Sequence, residues 1–359
     1  MTAVVLIPAA TSLIALFMAV ALADQWRERR HPFQLIWALG MLFFGIASGC
    51  EAIAEAARWN EALYRSWYLT GAVWTAGWLG LGTTFLLGRT RFGYAFALGL
   101  FLAGVFTLLT QRRYDYPGAG SAPVLYLIAA AILALAIAVE TYFQNFRWPR
   151  LAALAVGGAT ILSVGLMVTT ELPPPGYAVD PATGIPSPEL FPGTLRLLTP
   201  FLNITGGFSL AFGAIFSAYV FMPKRRVLDY SLDPNQPGDV FLFNLLISPV
   251  AITVNFVASL PGAVRALFAG RLHSRVLATI LIAIGGFAAS SGDILLRFEI
   301  PDFFYVGKLV AVVFLLVGFL VSIEAFAEFR VPFTGIVLIR RRHERAPVPA
   351  EADTGDAPA

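Results

Sequence analysis

Long apolar runs with few interruptions dominate the chain. They fall at residues 3–23, 33–56, 67–88, 93–110, 122–143, 151–170, 195–222, 276–298 and 303–328, with a further stretch at about 240–269. Crossing a bilayer as helix takes ~20 apolar residues. The runs are continuous and lack the apolar/polar alternation over ~10 residues that marks a membrane barrel. The pattern predicts an all-α fold: a polytopic transmembrane helical bundle over residues 1–345.

Orientation follows from the basic residues in the short loops, which concentrate on the cytoplasmic side. Arg27, Arg29 and Arg30 follow the first run, and Arg89 and Arg91 the third. Arg147 and Arg150 follow the fifth, and Lys224, Arg225 and Arg226 the seventh. The odd loops therefore read as cytoplasmic and the N-terminus as outside. In the even loops Arg58 and Arg65 stand among carboxylates, and Arg112 and Arg113 are an exception. Ala21-Leu22-Ala23 resembles a signal-peptide cleavage site, but the arginines come after the apolar run rather than before it. That order predicts a retained first span.

The stretch 240–269 decides the remaining topology. If it spans, the chain has ten spans and the tail "LIRRRHER" ends outside, against the charge rule. It carries Asn244, Pro249, Asn255 and Pro261, and proline within a span frees backbone groups that lipid cannot satisfy. The expectation is nine spans, a cytoplasmic C-terminus, and one interfacial or re-entrant element at 240–269. Two further segments read as non-membrane. Residues 171–193, "ELPPPGYAVDPATGIPSPELFPG", hold seven prolines and predict an extended, polyproline-like external linker. Residues 346–359 lack core-forming side chains and predict a disordered cytoplasmic tail.

Small residues recur where helices should pack closely: Gly45 and Gly49, then Ser209, Gly213 and Ser217, then Gly286 and Ser290. Such spacing lets helix backbones approach in lipid. Trp67 and Tyr68 fit an interfacial aromatic belt, and Trp74 and Trp78 share one helix face as packing residues.

Composition agrees with the pattern: 58% of residues are hydrophobic and 13% charged. A net charge of +3, scattered over the loops, gives no nucleic-acid footprint. Lysine occurs only at Lys224 and Lys308. The arginine bias, with abundant Ala and Gly, points to a GC-rich bacterial genome and hence to the inner membrane. Cys50 is the sole cysteine and reads as a small buried residue.

Ionisable side chains inside a span are costly, ~2.5–3.5 kcal/mol at a helix centre, and mark functional candidates. Glu140, Glu324 and Glu328 sit near helix ends beside loop arginines and read as solvated. Glu51, Asp293 and Lys308 lie deeper. Asp293 and Lys308 are equidistant from the turn at Ile300-Pro301, each ~11 Å of helix away at ~1.5 Å per residue. They are therefore expected to pair, with Arg297 a competing partner one turn from Asp293. Glu51 falls at similar depth, with Glu55 and Arg58 successive turns nearer the surface. The predicted site is a polar cluster in the outer leaflet: Glu51, Asp293 and Lys308, with Glu55, Arg58 and Arg297 above.

His31, His273 and His343 all fall in predicted loops, so haem held between two membrane histidines is not supported. No phosphate-binding loop, zinc-protease or serine-hydrolase motif occurs, and no catalytic or metal residue is assigned. Lys308 lies in a ninth helix near its outer end, which argues against a retinal site. Cofactors remain unassigned.

The segments "YRSWYLTGAVWTAGWLGLGTTFLL", "LIAIGG" and "LLVGFLVS" resemble an uncharacterised group of multi-pass bacterial membrane proteins. The resemblance implies helical membrane architecture and attaches no activity. The expected role is non-enzymatic: binding or sensing a small or lipid-like ligand, or serving as a membrane assembly subunit. The expected partners are the lipid bilayer and a second membrane protein. A proton-coupled secondary transporter, with Glu51 and Asp293 carrying the proton, is the alternative.

Overall fold

Apolar continuity gives long helices, and their ends are set by local chemistry. A computed structural model of the chain describes residues 3–88, 94–109, 119–143, 147–181, 183–231, 235–297, 303–322, 328–334 and 336–340, without the side chains of 3, 94, 95, 119, 141, 242, 245, 249, 290–297, 303, 328–330 and 338–340. The helices are α1 (Ala3–Arg29), α2 (Pro32–Ala57), α3 (Glu61–Trp67), α4 (Ala76–Leu86), α5 (Tyr94–Leu109) and α6 (Ala122–Tyr142). They continue as α7 (Trp148–Thr169), α8 (Gly193–Thr199), α9 (Thr205–Phe221), α10 (Gly238–Phe268), α11 (Ser274–Arg297) and α12 (Phe303–Val321). Pro32 and Pro149 stand in the first turns of α2 and α7, where a missing N–H leaves no gap. Asn60 caps α3 by accepting from the Leu63 N–H at 3.0 Å.

Among the described residues, seven helices are long and apolar enough to cross a membrane, as expected of a multi-pass membrane protein. A short antiparallel pair, β1 (Glu328–Arg330) and β2 (Val337–Arg340), follows the bundle. Its connecting turn docks on the end of α1: the Phe333 N–H donates to Asp24 Oδ1 at 3.2 Å, and the Arg27 guanidinium lies over the Phe333 ring.

Close packing follows the small residues. On α2, Gly45 lies against Leu16 of α1, and the Ser12 hydroxyl donates to the Gly45 carbonyl at 2.8 Å. The tightest approach joins α4 to α9. A Cβ on Gly206 would fall 2.1 Å from the Ala76 carbonyl oxygen, so the two backbones touch there. Trp74 and Trp78 pack on Phe43 and donate to Ser163 and Thr160 of α7.

Two π-helical segments interrupt this regularity. Tyr68–Thr75 joins α3 to α4, and Pro200–Ile204 joins α8 to α9. They are bridged by Asn203, whose Nδ2 donates to the Ala72 carbonyl at 3.0 Å.

The proline-rich segment is not the extended linker that its composition predicts. Val179 and Pro186 form a β-bridge, and the Asp180 N–H donates to the Ile185 carbonyl at 2.9 Å. Phe191 stacks on both Tyr64 and Tyr68, with ring centroids 4.7 and 4.2 Å away. The Tyr64 hydroxyl donates to the Ser187 carbonyl. Arg65, paired with Glu61 at 2.7 Å, also donates to the carbonyls of Met167 and Thr170 where α7 ends. The prolines prevent helix, while Ile185 and Phe191 supply apolar anchors that fold the segment onto the bundle.

At the opposite end, α10 runs unbroken for 31 residues through Pro249 and Pro261, about 46 Å at ~1.5 Å per residue. Its buried face meets only one end of its neighbours. Phe241 clusters with Ala97, Ile137, Ala138 and Trp148, at the start of α5, the end of α6 and the start of α7. Ile252 and Ala263 cluster with Tyr219 and Met222 at the end of α9 and Val276 at the start of α11. Asn255 is fully buried and holds the segment after α9: its Oδ1 accepts from the N–H groups of Val227 and Leu228, and its Nδ2 donates to the Leu228 carbonyl. The opposite face of α10 exposes Phe243, Leu246, Val250, Val257 and Phe268.

The predicted tail at 346–359, Glu324 and the loop arginines Arg89, Arg91, Arg112 and Arg113 lie outside the described residues.

Candidate functional site

Glu51 sits on the buried face of α2, and its side chain is 1% exposed. A carboxylate there requires compensation, and α12 and α3 supply it. Lys308 Nζ lies 2.5 Å from Glu51 Oε1, and the Trp67 indole N–H donates to the same oxygen at 2.8 Å. The Lys308 ammonium also sits 3.6 Å from the centroid of the Phe304 ring, a cation–π contact. One helical turn along α2, Glu55 Oε1 accepts from the Tyr305 hydroxyl at 3.0 Å. Helix α2 thus meets α12 at two successive levels.

Of the six residues expected to form the cluster, Glu51 and Lys308 are in direct contact. The partner of Lys308 among the described side chains is Glu51, where equal depth on the α11–α12 hairpin predicts Asp293. Asp293 and Arg297 both belong to α11, and their side chains lie outside the described residues. Glu55 is part-buried beside α12. Arg58 terminates α2 with φ 105° and is exposed, so it stands at the rim.

Below the ion pair lies a cavity of about 100 Å³, open to one side. It is bounded by α2, the end of α3, the two π-helical segments, α4, α9, α11 and α12. Lys308, Trp67 and Ser48 line one part of it, and Thr75 and Asn203 another. Phe44, Leu79, Leu210 and Leu315, with several Gly and Ala residues, complete apolar walls. Wide π turns often mark functional positions in helices; here they bring Gly71, Ala72 and Asn203 to the cavity. Ser48 is 1% exposed, and its hydroxyl makes no hydrogen bond among the described residues; neither does Glu51 Oε2.

Sequence reasoning missed Trp67, Ser48, Tyr305 and Asn203 as site residues. Two of them carried a usable signal. Tyr305 lies three residues before Lys308 and so shares its helix face, and Asn203 is an amide inside an apolar run.

The arrangement can hold a small amphiphile against mainly apolar walls, with polar groups at Lys308, Trp67 and Ser48 in one part and at Thr75 and Asn203 in another. Among the described residues no group of His, Cys, Asp and Glu is placed to hold a metal ion. No known protein family, curated protein or solved structure matches the chain.

Proposed function

We propose that this protein is a non-enzymatic integral membrane protein that binds a small or lipid-like ligand in the cavity beneath Glu51 and Lys308. The observation that carries the proposal is that Lys308, the cation of a buried, hydrogen-bonded ion pair, lines a mainly apolar cavity. A purely structural pair needs no cavity beside it. Native mass spectrometry of protein extracted from its own membrane tests the proposal. The expected result is a co-purifying small molecule that is lost in Ala289→Phe, which fills the cavity. The same mass excess over the bare chain in both proteins, or none in either, would contradict it.

The proposed setting is a bacterial inner membrane, crossed nine times with the N-terminus outside, where the protein meets lipid and a second membrane protein. Six of the seven long apolar helices, with Glu61–Leu86, α5 and α11, make the nine. Helix α10 lies in the plane of the cytoplasmic interface. Supporting this, every cluster that includes α10 joins it to one end of its neighbours. In that position its two prolines leave carbonyls that water and headgroups reach. A membrane-impermeant maleimide should label Arg271→Cys only from the cytoplasmic side; labelling from outside would leave the nine-span topology untenable.

A second reading, proton-coupled transport, is favoured by the two π segments, because transporter sites are built where spanning helices are irregular. Uptake into proteoliposomes that is abolished by Glu51→Gln would select it over simple binding.

A further inference from the structure

Resting on the ligand-binding role proposed above, we infer that the cavity takes an uncharged amphiphile: a short alkyl chain ending in one hydroxyl, placed against Ser48 and Glu51. The polar side chains around the cavity divide into engaged and unengaged groups. The Trp67 indole donates to Glu51, the Thr75 hydroxyl donates to the Thr70 carbonyl, and the Asn203 amide donates to the Ala72 carbonyl. Ser48 Oγ and Glu51 Oε2 are buried and make no hydrogen bond among the described residues. They lie one turn apart on α2: Ser48 lines the cavity, and Glu51 stands one turn beyond it, behind the lining formed by Ser48, Trp67 and Lys308.

Each of these two atoms restricts the ligand. A carboxylate oxygen only accepts, so the ligand must donate; a serine hydroxyl does either. A hydroxyl is the smallest group that donates to one and accepts from the other. Charge restricts the ligand further. Lys308 and Glu51 already neutralise one another at 2.5 Å. An added carboxylate or ammonium would be desolvated with no counter-charge among the described residues. Size sets the chain length. The volume is about 100 Å³, smaller than the ~150 Å³ engineered cavity that holds benzene. That leaves room for a hydroxyl and about three or four carbons. The open side of the cavity permits the same end group to belong to a longer lipid whose chain continues outward.

Three brominated probes of similar size and different charge test this on the full chain in lipid nanodiscs: 3-bromo-1-propanol, 3-bromopropionate and 3-bromopropylamine. Bromine quenches indole fluorescence on contact, and Trp67 lines the cavity. The Trp67→Phe variant reports quenching from the other tryptophans, and 1-butanol serves as competitor. The expected result is saturable quenching by the bromo-alcohol that 1-butanol reverses and Trp67→Phe lacks. The acid and the amine should bind at least about tenfold more weakly. Ser48→Ala, which removes one hydrogen bond, should weaken the alcohol about two- to tenfold. Binding of the acid or the amine as tight as that of the alcohol would overturn this ligand class while leaving a ligand cavity in place. An absence of saturable quenching by all three, in protein that is folded and monodisperse, would overturn the ligand-binding role as well. A longer monoacylglycerol with a brominated chain, compared with the short alcohol, separates a lipid source from a free solute.

Discussion

Glu51 and Asn255 are both fully buried polar side chains at opposite ends of the bundle, and they are held by different kinds of partner. Glu51 is met by side chains from two other helices, Lys308 and Trp67. Asn255 is met by the backbone of a nearby connection, at Val227 and Leu228. In the hydrocarbon region a helix has no spare backbone groups, so a buried carboxylate must be matched by side chains at one depth. Where the chain leaves the helix, its free backbone groups become partners for an asparagine. The first arrangement depends on how three helices are rotated relative to one another; the second depends on one connection.

Breaking the two arrangements should therefore have different reach. Lys308→Met leaves a carboxylate buried without its cation, and it should destabilise the whole bundle by roughly 3–5 kcal/mol, read as the denaturation midpoint in mixed micelles. Asn255→Ala removes three hydrogen bonds and should cost about 2–3 kcal/mol at ~1 kcal/mol each. Its effect should be local: limited proteolysis should increase within residues 223–231 while the denaturation of the bundle changes little. Equal protection of that segment in variant and parent would remove the contrast between the two ends. Trp67→Phe removes a neutral donor from a charged acceptor and should cost about 1.5–2 kcal/mol, with the remaining Lys308 contact preserved. Tyr305→Phe, at the part-buried level of Glu55, should cost about 0.5–1 kcal/mol.

The apolar runs were legible because hydrophobic continuity is a local property of the chain. Depth was legible too, since height along a helix follows from residue count; this is why Glu51 and Lys308 were placed at the same level. Partner choice was not. Whether Lys308 turns toward α11 or α2 depends on the rotation of α12, and the side chains of Tyr305 and Lys308, on one face of α12, reach across to Glu55 and Glu51 of α2. The cavity was hidden for a related reason. It depends on two π segments, and widening a helical turn leaves no mark in composition. In residues 171–193 seven prolines predicted an extended linker, whereas one aromatic, Phe191, anchors the segment against Tyr64 and Tyr68. The two prolines of α10 pointed to an element that does not span; the helix runs unbroken through both, its Val250–Phe268 part is long and apolar enough to cross a membrane, and its packing partners lie at one end of its neighbours.

The most direct test of the ion pair on which the proposed site depends is a double-mutant cycle on Glu51→Gln and Lys308→Met, measured as unfolding free energy in bicelles. Direct pairing predicts that the double variant is less destabilised than the two single changes together, with a coupling of roughly 1–3 kcal/mol. Single effects that add to within about 0.5 kcal/mol would mean that Glu51 and Lys308 do not hold one another, and the site would lose its centre.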